Sequence, residues 1–229
     1  VHHAGWPCEM DGLIALAGDH DFVVIEDCAQ AHGATYKGRP VGGLGHVAAF
    51  SFCQDKIMTT GGEGGMLVTN DEAIWKKAWS IKDHGKNFDT VFQQDHPPGF
   101  RWLHDSFGTN MRMTEMQSAI GRLQLKKLTD WNRKRNDNAA QIVKSLSKYS
   151  AISVPLSDDE IRHAYYRLYA FVDDSMLRPD WDRDRVMQEI NSLGIPCFSG
   201  SCPEIYGEKA FEANDLRPSV SLPNATNLG

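Results

Sequence analysis

The chain has 229 residues, 41% of them hydrophobic and 24% charged, with a formal net charge of -6. That is length enough for one or two globular domains with a core of useful size, and the acidic balance gives no support to broad nucleic-acid binding. No uninterrupted apolar stretch approaches the roughly 20 residues needed to cross a bilayer. The five cysteines, odd in number and widely spread, argue against a disulfide framework and for a reducing cytoplasm.

In chain order, residues 10–17 place Met10, Leu13, Ile14 and Ala17 on one helical face, and Phe22-Val-Val-Ile25 is the short apolar run expected of a parallel strand buried on both faces. Asp27 closes that strand at its carboxyl end, the edge where ligands bind in open α/β sheets, although an N-cap for the following residues is the plain alternative. Residues 38–45 are glycine-rich without the order of a P-loop and read as a tight connection. Residues 47–50 form a second apolar run leading into Ser51, and residues 65–69 read as a third strand after the turn Gly61-Gly-Glu-Gly-Gly65. Three segments thus deliver Asp27, Ser51 and Lys56 towards one place.

Residues 83–99 read as loop, with 102–107 leading back to Asn110. Thr114 with Gln117 is a capping-box pattern, and Met116, Ile120, Leu123 and Leu128 mark an apolar stripe that predicts a long linking helix towards Tyr149. The basic residues Lys126, Lys127, Arg133, Lys134 and Arg135 decorate a solvated face of it. Residues 151–156 and 164–172 read as strands, and 182–193 as a helix ended by Gly194, an order that suits a small α/β domain. The domain boundaries that follow are 1–113, 114–149 and 150–229.

Lys56 carries the chemistry. A lysine is a nucleophile only while its amine is partly unprotonated, which requires desolvation or a neighbouring positive charge. Pyridoxal phosphate offers such a setting, and needs in return an anion at its ring nitrogen and donors for its phosphate. Asp27 fits the first need and Ser51 one of the second. Taken alone, Lys56 would read as a surface lysine; beside Asp27, Gln30, Ser51 and the glycine turn it does not. Cys197 and Cys202 are too widely spaced for a zinc knuckle and read as ordinary thiols, His2-His3 as polar surface or cleft lining, and no metal is expected.

Glu26-Asp-Cys-Ala-Gln-Ala-His-Gly-Ala-Thr-Tyr-Lys-Gly38, the Ser51-Phe-x-x-x-Lys56 box, the Gly-Glu-Gly-Gly turn and Gly108-Thr-Asn-Met-Arg-Met-Thr-Glu-Met-Gln117 together resemble the DegT/DnrJ/EryC1/StrS family of sugar aminotransferases, as does Gly194-Ile-Pro-Cys-Phe-Ser-Gly-Ser-Cys-Pro-Glu-Ile-Tyr206. The resemblance implies a pyridoxal-phosphate enzyme of fold-type I that acts on nucleotide-linked keto-sugars. It implies a partial large domain of three α/β/α layers and an incomplete small α/β C-terminal domain. By it, Lys56 bonds the cofactor and shuttles the proton, Asp27 holds the pyridine nitrogen, Gln30 lies near the ring hydroxyl and Ser51 holds the phosphate. Asn110 reaches the phosphate of a partner's cofactor, making the site a shared one in a homodimer. The family often has tyrosine where this chain has Thr109 and Met111.

The resemblance also implies that this sequence begins in the middle of a large domain and stops short of the end of the small one. The expected reaction is transamination from glutamate or a similar donor to a nucleotide-sugar. The sugar dehydratase branch, in which histidine replaces the lysine, is opposed by Lys56; a non-catalytic regulatory or scaffold homologue is the other alternative. Arg112 and His163 are candidate substrate contacts, since phosphates and hydroxyls need donors, with structural ion-pair or hydrogen-bond roles as the alternative.

Overall fold

The computed structural model describes residues 1–228. In chain order the elements are α1 (Met10–His20), β1 (Ile25–Asp27), β2 (Thr35–Tyr36), β3 (Arg39–Pro40), β4 (Val47–Ser51), β5 (Gly65–Thr69), α2 (Glu72–Lys82), α3 (Phe88–Phe92), α4 (Glu115–Leu146), β6 (Ile152–Ser153), β7 (Ile161–Arg162), β8 (Phe171–Val172), α5 (Arg183–Ser192), α6 (Lys209–Ala213) and α7 (Pro223–Leu228). By contact the chain forms two compact units: residues 1–145 with 155–168, and residues 146–154 with 169–229. The long helix therefore belongs almost wholly to the first unit, to which residues 155–168 also return.

In the first unit β1 pairs parallel with β4, and β4 antiparallel with β5. A second small sheet, β3-β2-β7, is antiparallel. The buried cluster comprises Cys28, Ala31, Ala34, Val41, Ala48, Ile57, Ala164 and Tyr166, with Phe50 and Leu128 packed against it. Helix ends follow local chemistry. Glu9 accepts from Gly12 N to start α1, Asp71 from Ile74 N to start α2, and Thr114 and Gln117 exchange side-chain-to-backbone bonds at the start of α4.

The apolar run at 22–25 is a correction to the expected strand. Pairing begins only at Ile25, and Ile25 is 69% exposed, whereas its neighbour Glu26 is 2% exposed. The reason is that β1, among the described residues, has a partner on one edge only, and the face that is buried is the one carrying Glu26. Likewise residues 164–168 do not extend a strand. Their amides turn to the N-terminal segment, Ala164 N donating to Gly5 O and Arg167 N to Ala4 O, and Tyr165 takes a positive φ of 48°.

Glu26 is a buried acid with both oxygens hydrogen-bonded. Its two oxygens accept from His2 Nε2 at 3.0 Å, Gly42 N at 2.8 Å, Leu44 N at 2.8 Å and Gly45 N at 2.6 Å. Cys8 N donates to His2 Nδ1, so the ring proton sits on Nε2 and points at the carboxylate. Burial works to raise the Glu26 pKa, but the bonds from His2 and the three amides outweigh it and hold the carboxyl at about 2. Gly42 is required here, because at its φ of 92° a Cβ would meet the Phe50 ring at 2.6 Å.

Glu26→Gln should destabilise the protein by about 3 kcal/mol, because an amide offers donors where Gly and Leu amides already donate. Denaturant unfolding at neutral pH checks this. A folded-state pKa below the ordinary carboxyl value means that the wild-type advantage is present above about pH 4.5 and is lost as pH falls towards 2, so the two proteins should converge in acid.

Candidate active site

The parallel register of β1 and β4 sets the site. Ile25, Glu26 and Asp27 lie opposite Val47, Ala48 and Ala49, and paired residues of parallel strands share a face. Glu26 thus faces with Ala48 and Phe50 into the interior, while Asp27 faces with Ala49 and Ser51 on the other side, at the carboxyl ends of both strands. Asp27 is exposed; its Oδ1 accepts from Ala29 N at 3.0 Å, so it also shapes the turn after the strand. Ser51 Oγ accepts from Cys53 N at 3.3 Å, which leaves the hydroxyl proton to donate. Gln30 is fixed by Ala4 N, which donates to its Oε1 at 2.7 Å.

Lys56 follows Ser51 by a turn in which Lys56 N donates to Cys53 O. Its Nζ lies 3.4 Å from Asp55 Oδ1 and 5.1 Å from the centroid of the Tyr166 ring. Burial lowers its pKa, but the charges and hydrogen bonds of Tyr166 and Asp55 outweigh burial and hold the ammonium above the ordinary lysine value. That differs from the partly unprotonated amine the sequence suggested, and the causes are Tyr166 and the adjacent Asp55 carboxylate. Asp55 was legible as a neighbour of Lys56; Tyr166, far along the chain, carried no sequence signal at all.

Asn110 is exposed and its Oδ1 accepts from Arg112 Nε at 3.1 Å. Arg112 in turn reaches Asp83 Oδ1 at 3.3 Å, and Lys86 Nζ binds the same oxygen at 2.9 Å. The structure therefore joins Asn110 and Arg112 in one polar group around Asp83, with the Asn110 amide protons turned away from that carbonyl. His163 is 6% exposed, stacked on Tyr165 at 4.0 Å, edge-on to Trp6, and its Nδ1 accepts from Tyr165 N at 2.7 Å. It sits in the packed interior, whereas Arg112 is exposed.

An apolar cleft of about 450 Å³ lies between the sheet and α4, lined by His32, Phe50, Phe52, Met66 and Leu125 among others. Strand alternation puts Ser51 on the opposite face from Phe50, so this cleft is separate from the Asp27–Ser51 side, and its polar lining is His32, Thr60, Ser118 and Arg122. His2, Glu26 and Cys28 bring three potential metal-ligand atoms within 4.8 Å of one another, all buried. The lone pairs of Glu26 are already engaged by four donors and His2 Nδ1 by an amide, which accounts for the cluster as a hydrogen-bonded one. Among the described residues no helix is long and apolar enough to cross a membrane.

The profile of the DegT/DnrJ/EryC1/StrS aminotransferase family matches residues 1–228. The chain belongs to that family. It is 30% identical over 231 residues to the dTDP-3-amino-3,4,6-trideoxy-alpha-D-glucose transaminase of Streptomyces venezuelae, covering 100% of this chain and 55% of the relative. It is 36% identical over 166 residues to the GDP-perosamine synthase of Escherichia coli O157:H7, covering 72% of this chain and 42% of that protein. The solved aminotransferase of Psychrobacter cryohalolentis superposes with a TM-score of 0.94 at 57% identity, over 99% of this chain and 60% of that one. DesV of S. venezuelae, solved in complex with a ketimine intermediate, superposes with a TM-score of 0.82 at 29% identity, over 99% and 56%. The architecture is the α/β fold of the fold-type I aminotransferases, in part, because the chain spans about half the length of the curated relatives it matches.

His32 and His163 give the first unit a defined acid response. Burial holds both rings neutral down to about pH 4, against the ordinary 6.5, with the Lys56 charge adding to the effect at His32. Between about pH 6.5 and 4 the unfolded chain binds protons that the folded one does not, so stability should fall as pH drops through that window, by up to about 3 kcal/mol per ring. His163→Phe should start from a lower plateau, because Tyr165 N loses its acceptor, and should show a shallower fall between pH 6.5 and 4 in urea titrations. A slope equal to that of the wild type would assign the acid response elsewhere.

Proposed function

We propose that this chain carries the cofactor-bearing half of a pyridoxal-phosphate aminotransferase that moves an amino group from glutamate or a similar donor to a nucleotide-linked keto-sugar. The observation that carries the reading is the β1–β4 register, which sets Asp27 and Ser51 on one face at one sheet edge, with Lys56 on the turn that follows. The relatives named above, a sugar transaminase and a perosamine synthase, support the substrate class, and the histidine of the dehydratase branch is a lysine here.

The donor set fits the group. Pyridoxal phosphate when bound supplies an electron sink for the carbon that gains or loses nitrogen. Lys56 would supply the amine that holds it and the base for a proton at the substrate carbon. Asp27 places a carboxylate to hold a proton on the ring nitrogen, and the Ser51 hydroxyl donates to the phosphate. Gln30, pinned by Ala4 N, stands beside the same strand end. Asn110 offers its amide protons to a phosphate, and in this reading the cofactor it serves belongs to a second copy, so that the working unit is a homodimer. Arg112 orients Asn110 through Oδ1 while its Nη1 holds Asp83, and in this reading the guanidinium also contacts a substrate phosphate.

Two outcomes are expected of the purified protein. Borohydride reduction after incubation with pyridoxal phosphate should fix the cofactor on the peptide that contains Lys56; label on a different lysine would sink the assignment. Asp27→Asn should leave cofactor capture in place but lower turnover on the order of a hundredfold, about 3 kcal/mol of barrier, since a neutral amide does not hold the ring proton. Turnover near the wild-type rate would reduce Asp27 to the cap of the turn that Ala29 N completes.

A further inference from the structure

Lys56 does not stand free on its turn. Asp55 divides its carboxylate between two partners: Oδ2 accepts from the Tyr166 hydroxyl at 2.6 Å, and Oδ1 faces Lys56 Nζ at 3.4 Å. The Tyr166 ring, 7% exposed, lies 5.1 Å from the same Nζ and carries the Arg167 guanidinium 4.3 Å from its centroid. Residues 163–167 are themselves fixed from the far side, by Ala164 N and Arg167 N donating to Gly5 O and Ala4 O and by Arg135 donating to Tyr165 O. The phenol is thus a rigid donor, and the hydrogen bond it makes fixes which way the Asp55 carboxylate points.

We propose that Asp55 and Tyr166 form a holder for the Lys56 ammonium: Tyr166 orients the Asp55 carboxylate, Asp55 binds the cation, and the lysine must leave this pair to take up its cofactor. The proposal rests on the reading of Lys56 as the cofactor lysine. It makes Asp55 and Tyr166 positioning residues, acting through Lys56. Lys56 has to give up one proton to solvent before its nitrogen can bond an aldehyde carbon, a condensation that releases one water, and the holder opposes that loss. The other titratable groups around the lysine are His32, whose own protonation the Lys56 charge disfavours, Arg167 behind the phenol, Arg135 beyond it, and Cys53 with Glu63 on the glycine-turn side. The groups that favour the ammonium are Tyr166 and Asp55.

The test is competitive acylation of the protein, stripped of pyridoxal phosphate, across pH 7 to 12, with each lysine followed by mass spectrometry; Lys76, which is paired with Asp89 and Glu72 in a different part of the unit, is the internal control. Asp55→Asn should lower the midpoint of Lys56 labelling by about one pH unit, the usual size of the effect of a neighbouring charge, and Tyr166→Phe by a smaller amount, with Lys76 unmoved in both. In the same variants, visible absorbance should report faster capture of pyridoxal phosphate at pH 7. A Lys56 midpoint unchanged in Asp55→Asn, or a Tyr166→Phe protein identical to wild type, overturns the holder. Asp55 is half exposed and asparagine is its isostere, so an unfolded variant is not expected, and an unshifted Lys76 midpoint verifies it. If the midpoint shifts while borohydride labels another lysine, the cofactor reading of Lys56 fails and the holder remains as an ion pair; if borohydride labels Lys56 while the midpoint stays, the holder alone fails.

Discussion

A carboxylate removed from water is tolerated only where its lone pairs are filled, and the first unit is organised around one that is. Glu26 takes hydrogen bonds from the N-terminal segment through His2 and from the 42–45 loop through three amides, so it fixes two stretches of chain against the β1 strand at once. Strand alternation then does the rest. With Glu26 committed inwards, Asp27 has to face outwards, beside Ala49 and Ser51. Two adjacent acids therefore have separate duties: the buried one holds the fold, and the exposed one is available for chemistry.

The N-terminal segment carries this placement across to the opposite wall of the site. Residues 3–5 form a single tight turn in which Ala4 and Gly5 both have positive φ, 56° and 96°. A non-glycine residue there costs on the order of 1 kcal/mol, which the surrounding bonds must offset. They do so by using the turn from both sides: Ala4 N donates to Gln30, while the carbonyls of Ala4 and Gly5 receive Arg167 and Ala164. At Gly5 a Cβ would lie 3.0 Å from both Ala164 Cβ and Gln30 O, so the turn has no room for a side chain. Gln30 and the segment 164–167 that carries Tyr166 are in this way held by the same turn.

What the sequence made legible is what short-range chemistry decides. The capping box at Thr114 and Gln117, the helix start at Asp182 and the Gly194 stop with φ of 77° are local, and each is where its residues say it is. The strand ends that carry Asp27 and Ser51 were legible too, because apolar runs of that length have few other uses. What escaped was non-local. Residues 164–168 have strand composition, yet their amides are taken by carbonyls of residues 4 and 5, and no pattern inside the segment records a partner so distant. The same holds for the Tyr166 contact to Asp55, and for Glu26, whose neighbours Ile25 and Val24 disguise a buried acid as the middle of an apolar strand.

The protonation of Lys56 brings the two levels together. An amine at the ordinary lysine value is free base in only about one molecule in a few thousand at neutral pH, so a lysine raised further is a poor nucleophile while it stays where it is. Partial burial pushes the other way and loses, because the carboxylate that opposes it lies only 3.4 Å from Nζ and is itself held in orientation by a phenol. The side chain that the sequence marks as reactive is thus stabilised in its unreactive form by its own neighbour in the chain. Reactivity at this position depends on where Nζ is placed as much as on which residue stands there, because loss of the Asp55 contact removes a charge that stabilises the ammonium.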